Sequence, residues 1–131
     1  MKRTSVNPWP WSLNVGYNQA EILESTRRQL ICAGQTSVDE NGNPQHINDM
    51  RKQIILSLDN LETVLFEANM SIANISRLNI YTTDVDEAMK HFDVLGIRFG
   101  PFNSTPPMTL LGVTRLALPG LLFEMEITAN D

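Results

Sequence analysis

Ile54, Leu58, Leu61, Leu65 and Ala68 recur at spacings of four and three, which puts them on one face of a helix running from about residue 49 to 68. Asn48 or Asp49 caps its start and Asn69 ends it. The next stretch, "ISRLNIYTT", changes period. Leu78 and Ile80 point one way while Arg77, Asn79 and Tyr81 point the other, so it reads as a strand. A second helix is expected from Asp84, its N-cap, with Val85, Met89, Phe92, Leu95 and Phe99 inward and Gly100-Pro101 as its stop. Two strands close the chain, at about 109–117 and 121–129, joined at Leu118-Pro119-Gly120.

Ahead of the first helix, "YNQAEIL" and "RRQLICAGQTS" flank a polar link and are expected to pair as a hairpin. "DENGNPQ" follows as a loop with Asn-Gly and Asn-Pro turn signals. Residues 1–15 hold Pro8, Pro10 and both tryptophans without a period, and read as an extended N-terminal arm on a single domain spanning 1–131. The order is β-β-α-β-α-β-β, an α+β mixed sheet with both helices on one face. Phe123, Met125 and Ile127 then meet the helices while Glu124 and Glu126 point away. Leu110, Leu116 and the tryptophans look too apolar for open solvent, so the bare face of the sheet is expected to meet other copies of the chain.

Composition narrows the function. The net charge of −5 lacks the basic footprint that neutralising phosphates requires, so no nucleic-acid partner is expected. No apolar run is long enough for a membrane span, and the cations near the start have no apolar region behind them, unlike a secretory signal. The one cysteine, Cys32, has no partner for an internal disulfide, and these features together fit a cytoplasmic protein. His46, His91 and Cys32 make a poor metal set, the glycines form no phosphate loop, and neither a metal nor a cofactor is expected. Cys32 reads as a small core residue, and Asp84, Asp86 and Glu87 as carboxylates that complement a helix start. The chemistry that survives is a loose set: Tyr17, Gly34-Gln35-Thr36, Arg115 and Glu124. Taken singly, each also has a structural explanation: a packed aromatic, a strand-end turn, half of an ion pair, a solvated strand residue.

"GYNQA" at 16–20, "CAGQTSVDENGN" at 32–43, "SLDNLETVLFEANMSIANISRLNIYTTDVDE" at 57–87 and "LALPGLLFEMEITA" at 116–129 together resemble the YjgF/RidA family. The order and spacing of these stretches carry the resemblance, from about Gly16 to Ala129. It implies a chorismate-mutase-like α+β fold and a homotrimeric barrel, with sheets inside, helices outside and a cleft at each subunit interface. It also implies hydrolysis of reactive enamines and imines to 2-keto acids and ammonia, without metal or cofactor. In that chemistry an arginine grips the substrate carboxylate and a glutamate activates water. Residue by residue, the resemblance puts the water-holding carboxylate on Glu124, the cleft tyrosine on Tyr17, and the strand end that fixes the substrate on Gly34 and Gln35.

The arginine does not carry over. Where the archetype has Pro-Ala-Arg-Ser/Thr, this chain reads "PPMT", and Met108 holds the arginine's place. A thioether has neither charge nor donor for a carboxylate. Arg115 lies seven residues on, an odd offset that in a regular strand puts it on the opposite face. Only a bulge, for which Gly112 is the candidate site, would turn it into the cleft. Two functions therefore compete. One is an enamine/imine deaminase of altered substrate range, favoured by Tyr17 and Glu124. The other is a non-catalytic binder of a small carboxylate or imine metabolite, favoured by Met108. Endoribonuclease, a name attached to parts of this family, is disfavoured by the acidic charge and the lack of a histidine pair.

Overall fold

A computed structural model describes every residue from Met1 to Asp131. Helix α1, Met50–Glu67, forms where the apolar period lies, and Ile54, Leu58, Leu61 and Leu65 on its inner face are essentially inaccessible to solvent. The Asp49 carboxylate accepts the Lys52 backbone N–H and caps the first turn. At the far end Asn69 takes a left-handed conformation, with φ of 56°, and stops the helix.

The main sheet has five strands: β3 (Gln29–Ile31), β4 (Gln35–Thr36), β5 (Ile75–Thr82), β6 (Met108–Gly112) and β7 (Phe123–Asn130). Its order is β3-β7-β5-β6, with β4 also on β7, antiparallel throughout except for the parallel pair β5–β6. Leu78 and Ile80 of β5 and Phe123, Met125 and Ile127 of β7 turn into a core closed by α1. The opposite face of the sheet is bare. Its residues fall in cross-strand rows: Thr36, Glu124, Tyr81 and Leu111; then Glu126, Asn79 and Thr109; then Ile31, Thr128 and Arg77.

Four sequence expectations need correction. First, "YNQAEIL" and "RRQLICAGQTS" do not pair with each other. Strand β2 (Ala20–Glu24) pairs with β1 (Lys2–Val6) in a separate two-stranded sheet, while β3 pairs with β7. Residues 1–15, read as an extended arm, hold regular structure that the sequence pattern did not show. Residues 2–6 are a strand and Pro10–Val15 a 3-10 turn. The strand was invisible to hydrophobic patterning because its inward residue is Arg3, neutralised by Glu21 at 3.2 Å and donating to the Ile75 carbonyl at 2.8 Å.

Second, the helix expected from Asp84 is two: α2 (Val85–Met89) and α3 (Asp93–Phe99). Between them the backbone bonds from His91 to Ala88, Phe92 to Met89 and Val94 to His91 all span three residues, a tightened turn that redirects the axis. Third, the strand expected at 109–117 starts at Met108 and ends at Gly112, and it does not pair with β7, because β5 lies between them. Fourth, Leu110 packs on the core and Leu116 is buried, so neither faces outward. The apolar residues left on the bare face are Ile31 and Leu111, 78% and 51% exposed.

The irregular segment after β6 is held by one side chain. Gln53, fully buried on α1, donates to the carbonyls of His46 and Gly120 and accepts the Leu122 N–H at 2.8 Å. Gln53→Ala would strand three backbone groups, and a loss of about 2–4 kcal/mol in urea denaturation is expected. No helix is long and apolar enough to cross a membrane.

Candidate functional site

β7 alternates strictly, so Glu124 and Glu126 share the bare face and sit two residues apart on one strand. Opposite Glu124, β4 is only two residues long, with residues 32–34 before it outside any strand and a bend at Ser37 after it. The Glu124 carboxylate lies against Gly34. A Cβ at position 34 would stand 2.0 Å from Glu124 Oε1, so only glycine admits the carboxylate in this position. Partial burial pushes the Glu124 carboxyl above its ordinary pKa, and the charge of Glu126 adds to the effect. Such a group takes and returns a proton more readily nearer neutral pH than a free carboxylate does.

Glu126 has partners that the sequence did not disclose. The Tyr81 hydroxyl donates to its Oε1 at 2.6 Å and the Asn79 amide donates to the same oxygen at 3.2 Å. The hydrogen bond to Glu126 raises the Tyr81 pKa, with burial and the charges of Glu126 and Glu124 acting in the same direction and Arg77 opposing them. The oxygen of the Asn79 amide is buried without a partner. The outward positions of Asn79 and Tyr81 were legible from the alternation of β5. That β5 lies directly beside β7 was not.

Gln35 is close by in sequence, but its amide turns back on the strand end, donating to the Ala33 carbonyl at 3.3 Å and lying 3.7 Å from Cys32 Sγ. Cys32 is in the core, and burial raises its thiol pKa, with the charge of Glu126 adding to the rise and the Gln35 amide opposing it; the sulfur is not poised as a nucleophile. No group of three or more His, Cys, Asp or Glu side chains is placed to hold a metal ion.

Tyr17 and Met108 lie elsewhere. Gly16, at φ of 90°, closes the 3-10 turn in a conformation that favours glycine and delivers Tyr17, whose ring stands edge-on to Trp11 at 6.0 Å. The buried side chain of Asn18 fastens this turn to the segment before β6. Its amide donates to the Thr105 hydroxyl at 3.1 Å, and its backbone N–H donates to the Thr105 carbonyl. Asn18 is a positioning residue that no sequence motif singled out. Met108 opens β6 opposite Leu78 and shares a cavity with Gly16 on the helix side of the sheet.

One chain therefore carries two separate clusters. Gly34, Gln35 and Glu124 sit at the start of β4 and on β7; Tyr17 and Met108 sit by the β6 edge, with Met108 two strands across from Glu124 and three residues along, roughly 14 Å by ordinary strand geometry. Arg115 joins neither. β6 ends at Gly112 without a bulge, so strand alternation never reaches residue 115. The guanidinium is exposed, donates only to the Leu116 carbonyl at 3.4 Å and has no carboxylate partner.

The contact at Gly34 can be tested. Gly34→Ala should expel the Glu124 carboxylate at little cost in stability, within about 1 kcal/mol, because the displaced atoms are the end of a flexible side chain. A more than tenfold loss of any Glu124-dependent activity with an unchanged urea midpoint is the expected pair of results.

Residues 12–131 match the family model described as endoribonuclease L-PSP. A RutC family protein of Pyrococcus abyssi is 27% identical over 100 residues, 76% of each chain. Among solved structures, a protein of the conserved Rid family from Yersinia pestis, YyfB, of unknown function by its description, superposes with a TM-score of 0.84 at 29% identity over the whole of both chains. A YjgF/YER057c/UK114 family member of Mycobacterium tuberculosis aligns at 27% identity and a TM-score of 0.65, covering 99% of this chain and all of its own.

Proposed function

The chain belongs to the endoribonuclease L-PSP family, that of the YjgF/RidA proteins, and from this we propose that it acts as a homotrimer whose interface clefts bind a small molecule and hydrolyse its C=N bond. The observation that carries the proposal is Glu124, seated against the Gly34 strand end with a raised carboxyl pKa. In the reaction Glu124 holds a water molecule and removes its proton as the oxygen attacks the imine carbon. An enamine first takes a proton on carbon to reach the imine. Glu124 returns the water's proton to the nitrogen to give the carbinolamine. The nitrogen then takes a second proton as the hydroxyl gives its own up to the carboxylate or solvent, the C–N bond breaks, and ammonia leaves behind a carbonyl. Neither metal nor cofactor enters this sequence.

The two separated clusters support the assembly. β6 is one open edge of the sheet, with β3 and β4 at the other. A closed ring that sets the β6 edge of one copy beside the β4 edge of the next would join Tyr17 and Met108 to Gly34 and Glu124. It would also cover Ile31 and Leu111 and give Arg77, which has no ion pair within the chain, a carboxylate-rich neighbour. Size exclusion with light scattering should give three times 14.8 kDa at micromolar concentration. A stable monomer would remove both the cleft and the reaction.

Met108 favours a second reading, in which the trimer binds a metabolite without turning it over. Keto-acid or aldehyde release from imines generated in situ, with and without the protein, separates the two. RNA cleavage has less support: the formal charge is −5, and His46 in a loop and His91 after α2, which contacts Glu87 at 3.2 Å, form no pair.

A further inference from the structure

On the helix side of the β6 edge, a cavity of about 390 Å³ opens between the turn at residues 13–16 and α3. Its walls are apolar: Leu13, Val15, Phe92, Leu95, Phe99 and Met108. No cationic side chain lines it. Of its polar groups, the Ser104 hydroxyl donates to the Ile72 carbonyl and the Thr105 hydroxyl accepts from the Asn18 amide, so the groups left to bond a ligand, among them the Asn14 side chain, are uncharged. α3 presents Gly96 to the cavity, and nothing lies within 4 Å of the place its Cβ would occupy. The space is within the size range of small-molecule sites.

A carboxylate entering this cavity would lose its hydration and meet no compensating charge, whereas an uncharged apolar group gains burial. We propose that the cavity binds the apolar part of a neutral ligand, on the order of ten non-hydrogen atoms and branched or aromatic, so that the site selects uncharged substrates over free imino carboxylates. This rests on the reading that Met108 borders the ligand cleft. Substitution of arginine by methionine is then a change of substrate class.

The full-length protein labelled with ¹³C at its methionine methyls reports binding directly, the Met108 signal being the one lost in Met108→Leu. Benzamide and benzoate serve as probes of one shape, neutral and anionic. Benzamide is expected to shift the Met108 methyl, with benzoate at least tenfold weaker. Gly96→Leu, whose Cβ would meet nothing within 4 Å and whose side chain would enter the cavity from a helix position, should abolish the shift while leaving the melting temperature no lower. Equal or stronger binding of benzoate, no Met108 shift with either probe, or an undiminished shift in Gly96→Leu would each overturn the proposal. Turnover is not needed for any of these readouts. Benzamide preference without C=N hydrolysis refutes the deaminase and leaves the pocket. Hydrolysis of imino carboxylates together with benzoate preference refutes the pocket and leaves the deaminase.

Discussion

Glu124→Gln is expected to lower C=N hydrolysis by about 10²- to 10⁴-fold, the contribution of a positioned general base, while making the fold more stable at neutral pH. The second effect follows from linkage. Burial and the charge of Glu126 raise the Glu124 carboxyl pKa in the folded chain above its ordinary value. Between those two values the native state binds a proton that the unfolded chain does not. The stability Glu124 contributes is therefore complete below the ordinary carboxylate range and is lost as the pH rises through the folded value. At pH 7 the natural chain carries an ionised, partly desolvated carboxylate beside a second one, and glutamine removes that cost. Melting curves should show the variant above the natural protein at pH 7, with the gap closing in acid. The acid limb of turnover should also lie above the ordinary carboxylate range, because the base works only when ionised. A variant that melts lower at neutral pH, or one that keeps its turnover, would make Glu124 a structural residue.

Met108→Arg should raise turnover of carboxylate-bearing imines such as 2-aminoacrylate by roughly 30- to 1000-fold. That range corresponds to about 2–4 kcal/mol for a bidentate guanidinium–carboxylate contact in a partly desolvated cleft. Glu124 and the Gly34 strand end are already in place, and the cavity at position 108 has no cation that would repel the new one. Arg115→Ala should change little, since Arg115 lies beyond the end of β6 and bonds only its neighbour's carbonyl. The set is natural, Met108→Arg, Arg115→Ala and Glu124→Gln, each assayed for keto-acid release with its trimer checked. If the natural chain is already fast and Arg115→Ala abolishes turnover, Arg115 is the anchor and Met108 is not. Uniform inertness in intact trimers would leave the binding protein as the function.

By itself the sequence determined the parts whose signal is local. α1 and its Asp49 cap, the alternation of β5 and the two-faced β7 follow from apolar period and cap chemistry, and both Glu124 and Glu126 were correctly placed off the core side. Near-complete similarity in motif order also supplied the family. Tertiary structure alone decided which strands are neighbours. Pairing depends on backbone hydrogen bonds that any residue can make, so the hairpin expected of β2 and β3 gave way to β1–β2 and β3–β7. It alone put β5 beside β7, which delivers Tyr81 and Asn79 to Glu126, and brought Gly34 close enough to touch Glu124. It ended β6 at Gly112, so that the parity of the spacing between Met108 and Arg115 ceased to matter. A strand's alternation is local and can be read from the order of residues. Where the strand stops, and what lies across from it, is set by packing against segments remote in sequence, such as Gln53 of α1 bonding Gly120 and Leu122.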